Sequence, residues 1–253
     1  MKSTVERRAE ILALLQQTNS QRVETLAKYF GVSTVTIRTD LNQLEEQGHI
    51  KRSHGFAVLN SRLIAELSVT DKRTHYPELK QRIGKAAASL LKDGERVIFD
   101  SGTTTKAIVN HLGDLELTAL TNGLDVAMAL SRCPNVEVRI SGGVLRKNAM
   151  SFSGVMADIN LQNNRFDKAF IGVDGFDLFK GVTTFNEQEA HLNRLMCDAA
   201  DRVIVVTDSS KFGQYSNFVI CKASQIDILI TDDGLPHNYR DYLENEGVQV
   251  IIV

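Results

Sequence analysis

The sequence predicts an α/β protein in two parts, a small helical domain with a hairpin and a larger domain with a mainly parallel sheet. Apolar residues recur at helical spacing through the first sixty residues. From Arg96 onward, short apolar runs alternate with helical patterns, which is typical of strands covered by helices. The expected divisions are a domain over 1–60, a linker over 61–76 and a second domain over 77–253.

Residues 1–60 predict three helices and a β-wing. The second helix is expected over Arg22–Phe30, because Gly31 breaks it and Ser33 is suited to cap the third helix. The run HIKRSHGFAVL after the third helix predicts a short hairpin. One stripe of the third helix, at i, i+4 and i+7, is expected to face the core: Ile37, Leu41 and Leu44.

The composition is that of a globular protein with a basic N-terminal region. The chain has 253 residues, 43% of them hydrophobic and 24% charged, as in globular domains. Residues 1–62 carry nine Lys and Arg against six Asp and Glu, although the whole chain has a formal charge of −2. A basic head on an acidic body suggests a polyanion as partner of the head.

Several sequence motifs that would indicate a cofactor, secretion or a membrane are absent. Its three cysteines have no C-x-x-C spacing, so we expect neither a disulfide framework nor a metal site, and no motif calls for a cofactor. No signal-peptide pattern and no 18-residue apolar run is present. We therefore expect a cytoplasmic protein without a membrane partner.

The second and third helices have the spacing of a helix-turn-helix. The outward side of the third helix carries hydroxyls and one arginine, which suit base edges and phosphates. The alternative is a three-helix bundle that binds another protein and whose outer face is polar simply because it is exposed to solvent. The residues expected to contact DNA are Ser33, Thr34, Thr36, Arg38, Thr39, Arg52 and His54.

The body presents polar residues wherever a predicted strand ends. The expected strands are Arg96–Phe99, Leu117–Leu120, Val136–Ile140, Lys168–Ile171, Val203–Val206, Ile228–Ile230 and Val248–Val253. Ligands of open parallel sheets bind outside the carboxyl ends of the strands. The recurrence of Gly, Asp, Asn, Ser and Thr at five of these ends therefore predicts a polar pocket.

The turn DSGTTT after the first of these strands favours a phosphate, because it offers N–H and hydroxyl donors where a helix begins. Neither a P-loop nor a dinucleotide fingerprint is present, so nucleotide hydrolysis is not expected. Carboxylates and amides at other strand ends could accept sugar hydroxyls. The predicted effector residues are Asp100, Ser101, Gly102, Thr103, Thr104, Thr121, Asn122, Gly142, Gly143, Arg146, Asp174, Gly175, Asn186, Glu187 and Lys211.

The head resembles a known family. RRAEILALLQQ, VETLAKYFGVSTVTIRTDLNQLEEQGHIKR and SHGFAVL are similar to the N-terminal winged helix of DeoR/GlpR-type bacterial repressors. Two positions depart from that pattern. Thr39 stands where the family has a second basic residue, and Phe56 replaces the second glycine of the wing tip, where a side chain restricts positive φ.

The body resembles the sensor domain of the same family, through FDSGTTT, LTNGLDVA, ISGGVLRK, SFSG, FIGVDGFD, GVTTFNEQEAHLNRLM and TDSSKFG. Its hexitol and amino-sugar branches, such as the galactitol, sorbitol and N-acetylgalactosamine operon repressors, are the most similar. The resemblance implies a domain similar to ribose-5-phosphate isomerase and an inducer that is a phosphorylated sugar. It also implies that the Ser101–Thr104 loop holds the phosphate and that Asp174, Glu187 and Lys211 lie over the former catalytic floor.

We therefore expect a repressor of a sugar catabolic operon that binds operator DNA as a homo-oligomer, dimer or tetramer, and is released by a hexitol, hexose or amino-sugar phosphate. The alternative is a sugar-phosphate isomerase with a helical appendage. Against it, Val182, Thr183 and Thr184 replace glycines of the isomerases, so side chains would fill space that the substrate needs. A third option is a regulator whose body contacts a partner protein instead of a metabolite.

Overall fold

The computed structural model describes residues 4–18, 20–46, 49–53, 55–59, 62–63 and 66–253. Its contacts divide the chain into two compact units. The first comprises Met1–Arg62 with Pro236–Tyr242, and the second comprises Leu63–Leu235 with Leu243–Val253. We call residues 4–59 the head, and we call the second unit the body.

The head contains the expected three helices and wing. Its wing sheet has the order β1-β3-β2, and both pairings are antiparallel. The predicted stripe of Ile37, Leu41 and Leu44 is buried against the other two helices. The elements of the head are α1 (Thr4–Thr18), β1 (Ser20–Arg22), α2 (Val23–Phe30), α3 (Thr34–Glu46), β2 (Ile50–Ser53) and β3 (Phe56–Leu59).

A buried ion cluster joins the first and third helices of the head. Asp40 on α3 is 1% exposed, and its two carboxylate oxygens lie 2.5 Å from Arg7 Nε and 3.0 Å from Arg8 Nε of α1. Two of the basic residues that gave the head its positive charge are therefore used internally. A charge at a core-facing position of α3 is stable only because partners reach it from α1.

The stretch expected as a linker over 61–76 is structured in part. After β4 (Arg62–Leu63), the chain forms the helix α4 (Val69–Thr74), which Ser68 caps by accepting a hydrogen bond from the Asp71 N–H. Val69 is buried, and its N–H donates to the Asn148 carbonyl at 2.9 Å. These contacts place Val69–Thr74 in the body, and the division between units falls between Arg62 and Leu63 rather than at residue 76.

The body is built on a seven-stranded sheet of order β17-β16-β13-β10-β5-β6-β7. Every pairing in it is parallel, and all seven expected strands belong to it, which confirms the α/β prediction. The strands of this sheet are β5 (Arg96–Phe99), β6 (Leu117–Thr121), β7 (Val136–Ile140), β10 (Phe166–Gly172), β13 (Ala200–Val206), β16 (Ile228–Thr231) and β17 (Gln249–Ile252).

Helices and short antiparallel sheets surround this sheet. The helices of the body are α5 (Pro77–Ala88), α6 (Thr103–Val109), α7 (Leu124–Leu130), α8 (Val155–Gln162), α9 (Glu187–Ala199) and the 3₁₀ turns Ser209–Lys211 and Ala223–Gln225. A further helix, α10 (His237–Asn245), belongs to the first unit up to Tyr242. The remaining strands are β8 (Val144–Arg146), β9 (Ser151–Ser153), β11 (Gly175–Asp177), β12 (Gly181–Thr184), β14 (Gln214–Tyr215) and β15 (Phe218–Cys221). In the part of the chain that the structure describes, none of the helices could cross a membrane.

The order of the strands creates a reversal point between β5 and β10. The chain runs outward from β5 through β6 to β7, then returns to β10 on the other side of β5 and continues outward to β17. The loops that follow β5 and β10 therefore diverge above the sheet and leave a crevice between them. Crevices of this kind are where open α/β sheets bind their ligands.

Candidate functional site

The third helix presents a continuous exposed side in the head. Arg38, Thr39 and Asn42 are exposed on the side opposite the buried stripe. Val35 is 68% exposed at the start of this helix, and its apolar side chain suits contact with a thymine methyl group. The predicted residue Arg38 is thus available to a nucleic acid, and Val35 is an addition that polarity alone did not reveal.

The other predicted hydroxyls also hold the helix in place. Ser33 caps the third helix, since its Oγ accepts a hydrogen bond from the Thr36 N–H at 3.1 Å. The Thr36 hydroxyl lies 2.9 Å from the same oxygen. Thr39 donates to the Val35 carbonyl at 3.1 Å, and Thr34 is half-buried. These residues shape the start of the helix, and their contact with DNA stays a prediction.

The wing is tied to the same helix. Arg52 donates from its guanidinium to the side-chain Oδ1 of Asn42, and its backbone N–H donates to Glu45 Oε1 at 2.9 Å. At the tip, Gly55 takes φ of +84°, whereas Phe56 lies in β3 beneath the Arg22 guanidinium, 4.8 Å from the ring centre. Phe56, which replaces a glycine of the family pattern, therefore lies in a strand and does not adopt a positive φ. The predicted His54 lies outside the described residues.

A polar cavity lies in the body at the reversal point of the sheet, above the carboxyl ends of β5, β10 and β13. It is bounded by the loops after these strands, by β12 and α9, and by residues before and within α5. Its lining residues are Leu67, Val69, Lys72, His75, Lys80, Asp100, Ser101, Gly102, Thr103, Thr104, Ala149, Gly172, Val173, Asp174, Thr184, Glu189, Asn193, Thr207, Asp208 and Lys211.

Asp100 holds the Ser101–Thr104 loop in place through hydrogen bonds. Its Oδ1 accepts from the Gly102 N–H at 2.8 Å and from the Thr105 hydroxyl, and its Oδ2 accepts from the Gly172 N–H at 2.7 Å. One carboxylate thus holds together the loops that follow β5 and β10. Burial raises the pKa of Asp100, and repulsion by Asp174 adds to this, although the three hydrogen bonds oppose it.

Gly102 is required by the packing of this loop. A Cβ at that position would lie 2.9 Å from Asp100 Oδ1 and 3.1 Å from Thr105 Oγ1. Any side chain would therefore push the loop away from the carboxylate that shapes it. The loop leaves Ser101 and Thr103 half-exposed toward the cavity, so their hydroxyls are placed to meet a ligand.

Asp174, a predicted residue, lies across the cavity on the loop after β10. Its Oδ1 is 2.5 Å from Lys72 Nζ of α4, and its Oδ2 accepts from the Thr184 hydroxyl at 2.8 Å. Lys72 was not expected at the site, because the stretch around it was assigned to the linker. An ion pair between the linker region and the cavity could not be found from local sequence spacing.

Lys80 is a second cation of the cavity that was not among the predicted residues. It is 6% exposed on α5, and its ammonium donates to the Lys72 carbonyl at 2.5 Å. The pKa of Lys80 is lowered to about 8, mainly by burial; Asp208 opposes the shift, and Lys211 and Lys72 add to it. The signal was present in the sequence, because Lys80 falls on the face of α5 that also carries the buried Ile83 and Ala87.

Helix α9 contributes a different carboxylate from the one expected. Glu187 is exposed, whereas Glu189 is buried, lines the cavity and accepts from Arg146 at 3.0 and 3.2 Å. Asn186 caps α9 by accepting from the Glu189 N–H at 3.1 Å. Arg146 is held by Glu66 as well, and these two carboxylates raise its pKa even though burial opposes them. Arg146 thus stands behind Glu189 rather than in the lining.

Several predicted residues lie away from the cavity because it is centred on β10, and the ends of β6 and β7 fall to one side. The Thr121 hydroxyl accepts from the Gly123 N–H at 3.0 Å, and Asn122 is buried beside Phe152. Gly143 has φ of +101° and packs directly on the Ser153 backbone. The predicted residues outside the lining are Thr121, Asn122, Gly142, Gly143, Arg146, Gly175, Asn186 and Glu187.

The cavity contains cations, carboxylates and hydroxyls without a metal-type cluster. Among the described residues, no group of three or more His, Cys, Asp or Glu is arranged to hold a metal ion. Asp174 and Glu189 are each matched by a protein cation, whereas Lys80 donates to a neutral carbonyl and is attracted by the charge of Asp208. The arrangement therefore suits an anionic ligand with hydroxyl groups.

Comparison with known proteins finds one matching domain family for the head and one for the body. Residues 7–63 match the model of the DeoR-like helix-turn-helix domain, and residues 75–233 match that of the DeoR C-terminal sensor domain. The putative aga operon transcriptional repressor of Escherichia coli O157:H7 is 45% identical over 99% of this chain and 94% of its own. The HTH-type transcriptional repressor GlcR of Bacillus subtilis (strain 168) is 35% identical over 98% of this chain and 95% of its own.

A solved structure of ribose 5-phosphate isomerase from Methanocaldococcus jannaschii also resembles the chain. It is 17% identical, with a TM-score of 0.41, over 54% of this chain and 55% of its own. A resemblance of this extent carries no argument about activity.

Proposed function

The chain belongs to the DeoR family of DNA-binding transcriptional regulators, and from that premise we propose that it represses a sugar catabolic operon in the cytoplasm. In this proposal the head binds operator DNA, and a phosphorylated sugar in the body cavity releases it. The sugar is a hexitol, hexose or amino-sugar phosphate. The name of the relative at 45% identity, an operon repressor, supports this direction of control.

The head supports sequence-directed DNA binding through α3. The exposed Arg38 can pair with guanine or with a phosphate, and the exposed Val35 can contact a thymine methyl group. The remaining predicted residues are proposed to position the helix and the wing on the duplex. Helix-turn-helix proteins read paired half-sites, so a symmetric homo-oligomer, dimer or tetramer, is the proposed binding form.

One observation carries the effector proposal: the ammonium group of Lys80 is buried in the cavity beside two other lysines. The charges of Lys211 and Lys72 both lower the pKa of Lys80, so each repels its ammonium, while the nearby Asp208 attracts it. A bound phosphate would relieve that repulsion and accept hydrogen bonds from the hydroxyls of the Ser101–Thr104 loop. Asp174, Glu189 and Asn193 line the remainder of the cavity and can meet sugar hydroxyls.

The chain is a regulator and not an enzyme, because its relatives over nearly the full length are named as regulators. The three residues that stand in place of the isomerases' glycines lie together in one strand, and Thr184 lines the cavity. Val182, Thr183 and Thr184 are buried in β12, where Thr183 donates to the Gly175 carbonyl at 3.0 Å. The isomerase alternative is set aside because the relatives are named as regulators.

The proposal is tested by selecting duplexes that the full-length protein binds from a random DNA pool. The selection is run with and without a mixture of hexose, hexitol and amino-sugar phosphates, and with the same sugars unphosphorylated. We expect a repeated half-site to be enriched, and only the phosphorylated mixture to abolish the enrichment. Failure to enrich any sequence would refute the repressor proposal, and enrichment that no phosphorylated sugar alters would refute the effector proposal.

A further inference from the structure

Helix α4 brings a charged side chain into the cavity from the part of the chain that follows the head. It begins at Val69, seven residues after the boundary between the two units, and ends at Thr74. Its Lys72 forms the ion pair with Asp174, and the two side chains are 23% and 12% exposed. The wall of the cavity is therefore partly made by the segment that leads to the DNA-binding head.

Polar contacts hold this helix more than apolar packing does. Val69 is the one buried side chain of α4. Arg73 forms an ion pair with Asp125 of α7, and the Lys72 carbonyl accepts from Lys80. Just before the helix, Glu66 forms an ion pair with Arg146. Since little apolar surface fixes α4, loss of one ion pair would change its hold on the body appreciably.

A sugar phosphate would compete for both partners of the central pair. Its phosphate carries a charge of about −1.5 to −2 at neutral pH and would attract the ammonium of Lys72 toward Lys80 and Lys211. The same charge would disfavour a bare carboxylate at Asp174, whose oxygens would be better matched by sugar hydroxyls. Binding thus weakens the Lys72–Asp174 pair from both sides.

We propose that the Lys72–Asp174 ion pair is the contact through which cavity occupancy is transmitted. The pair holds α4 on the rest of the body, and an anionic sugar breaks it and loosens the part of the body that follows the head. This proposal rests on the proposed function, because it needs a phosphorylated sugar that releases DNA. A ligand shifts an equilibrium only by binding two states with different affinity. In this proposal the two states differ in whether the Lys72–Asp174 ion pair is formed.

The test breaks the pair without any sugar. The full-length variants Lys72→Met and Asp174→Asn are compared with the wild type and with Lys85→Met, which removes an exposed lysine from α5. Two quantities are measured for each: hydrogen exchange of the backbone amides of residues 69–74, and the dissociation constant for a duplex selected by the wild type. Folding is checked by the exchange of the β5 and β10 amides, which should stay protected in every variant.

We expect both variants to exchange faster over residues 69–74 and to bind the duplex roughly tenfold more weakly, within the 5- to 150-fold range of allosteric coupling. Lys85→Met should match the wild type in both measurements. Wild-type operator affinity in Lys72→Met or in Asp174→Asn would overturn the proposal. That outcome differs from failure of the proposed function, in which the wild type itself would select no duplex or would ignore every phosphorylated sugar.

Discussion

Lys72 Nζ lies 2.5 Å from Asp174 Oδ1, which joins a helix just after the DNA-binding head to the loop that follows the central strand β10. Neither residue could carry this role alone, because Asp174 is anchored by Thr184 and Lys72 is carried by a lightly packed helix. The ligand cavity and the connection to the head thus share one ion pair. A sensor needs such a shared element, since binding energy must alter the segment that leads to the output.

Effector binding should depend on pH through Lys80. Its pKa of about 8 in the free protein would rise when a phosphate binds, because an opposite charge favours the ammonium form. Binding therefore takes up a proton above pH 8, and affinity should fall as pH rises through 8, by up to about tenfold per unit. Below pH 8 Lys80 is already charged, and the sugar phosphate is mainly a dianion above about pH 7.

Calorimetric titration of the activating sugar phosphate between pH 7 and 9, in two buffers of different ionisation enthalpy, measures this proton uptake. Lys80→Met should weaken binding about ten- to a hundredfold at pH 7, as expected for the loss of a hydrogen bond from a charged donor, and should remove the pH dependence. Lys85→Met, on the same helix but exposed, should retain it. A pH dependence that survives in Lys80→Met would show that another group is responsible.

Asp100→Asn should abolish the effector response while leaving the sheet folded. The amide has one acceptor oxygen where the carboxylate serves Gly102, Thr105 and Gly172, so at least one buried donor loses its partner. The expected cost is about 1–3 kcal/mol of stability, together with a displaced Ser101–Thr104 loop. Thermal unfolding and sugar-phosphate titration measure the two effects, with Asp201→Asn, an exposed residue of β13, as the control. An unchanged effector affinity would contradict the role given to Asp100.

Arg38→Ala should weaken binding to the selected operator by about 1–3 kcal/mol, or roughly ten- to a hundredfold, and should relax preference at one base position. Competition between the operator and a scrambled duplex separates base recognition from phosphate contact, because loss of a phosphate contact weakens both duplexes equally. Arg132→Ala removes an exposed positive charge from the body and should bind as the wild type does. Full operator affinity in Arg38→Ala would refute the assignment of α3 as the reading helix.

Asp40→Asn should destabilise the head selectively. The variant leaves Arg7, which is 7% exposed, and the half-buried Arg8 without their carboxylate partner. Breaking a buried ion pair in this way costs about 3–5 kcal/mol. Hydrogen exchange should therefore accelerate in α1 and α3 while the amides of β5 and β10 stay protected. Glu46→Gln, at the exposed end of α3, is the matched control, and equal exchange in the two variants would count against a structural ion cluster.

Sequence patterns predicted the architecture well because apolar periodicity is a local property. The seven strands of the parallel sheet and the stripe of Ile37, Leu41 and Leu44 could be identified from spacing alone. Of the residues predicted from the strand ends, Asp100–Thr104, Asp174 and Lys211 line the cavity. The order of the strands centres the cavity on β10, and this order depends on contacts between residues distant in sequence. Spacing alone therefore could not show that Asn122 and Gly143 lie outside the cavity.

The residues that sequence analysis missed depend on tertiary contacts. Lys72 lies in a polar stretch with weak periodicity, and its role requires a loop a hundred residues further along the chain. Glu187 and Glu189 are two positions apart on α9, and choosing the buried one requires the orientation of that helix against the sheet. Lys80 could have been found, because a lysine on the apolar face of an amphipathic helix is a departure that invites explanation.

We propose that a phosphorylated sugar in the body cavity releases the head from its operator. The most direct test is equilibrium binding of the full-length protein to a fluorescent operator duplex, titrated with matched pairs of sugars with and without phosphate. We expect one phosphorylated sugar to release the duplex, its unphosphorylated form not to release it, and Lys80→Met to require far more of the phosphorylated sugar. Release by the unphosphorylated sugar at equal concentration, or an unchanged response in Lys80→Met, would refute the proposal.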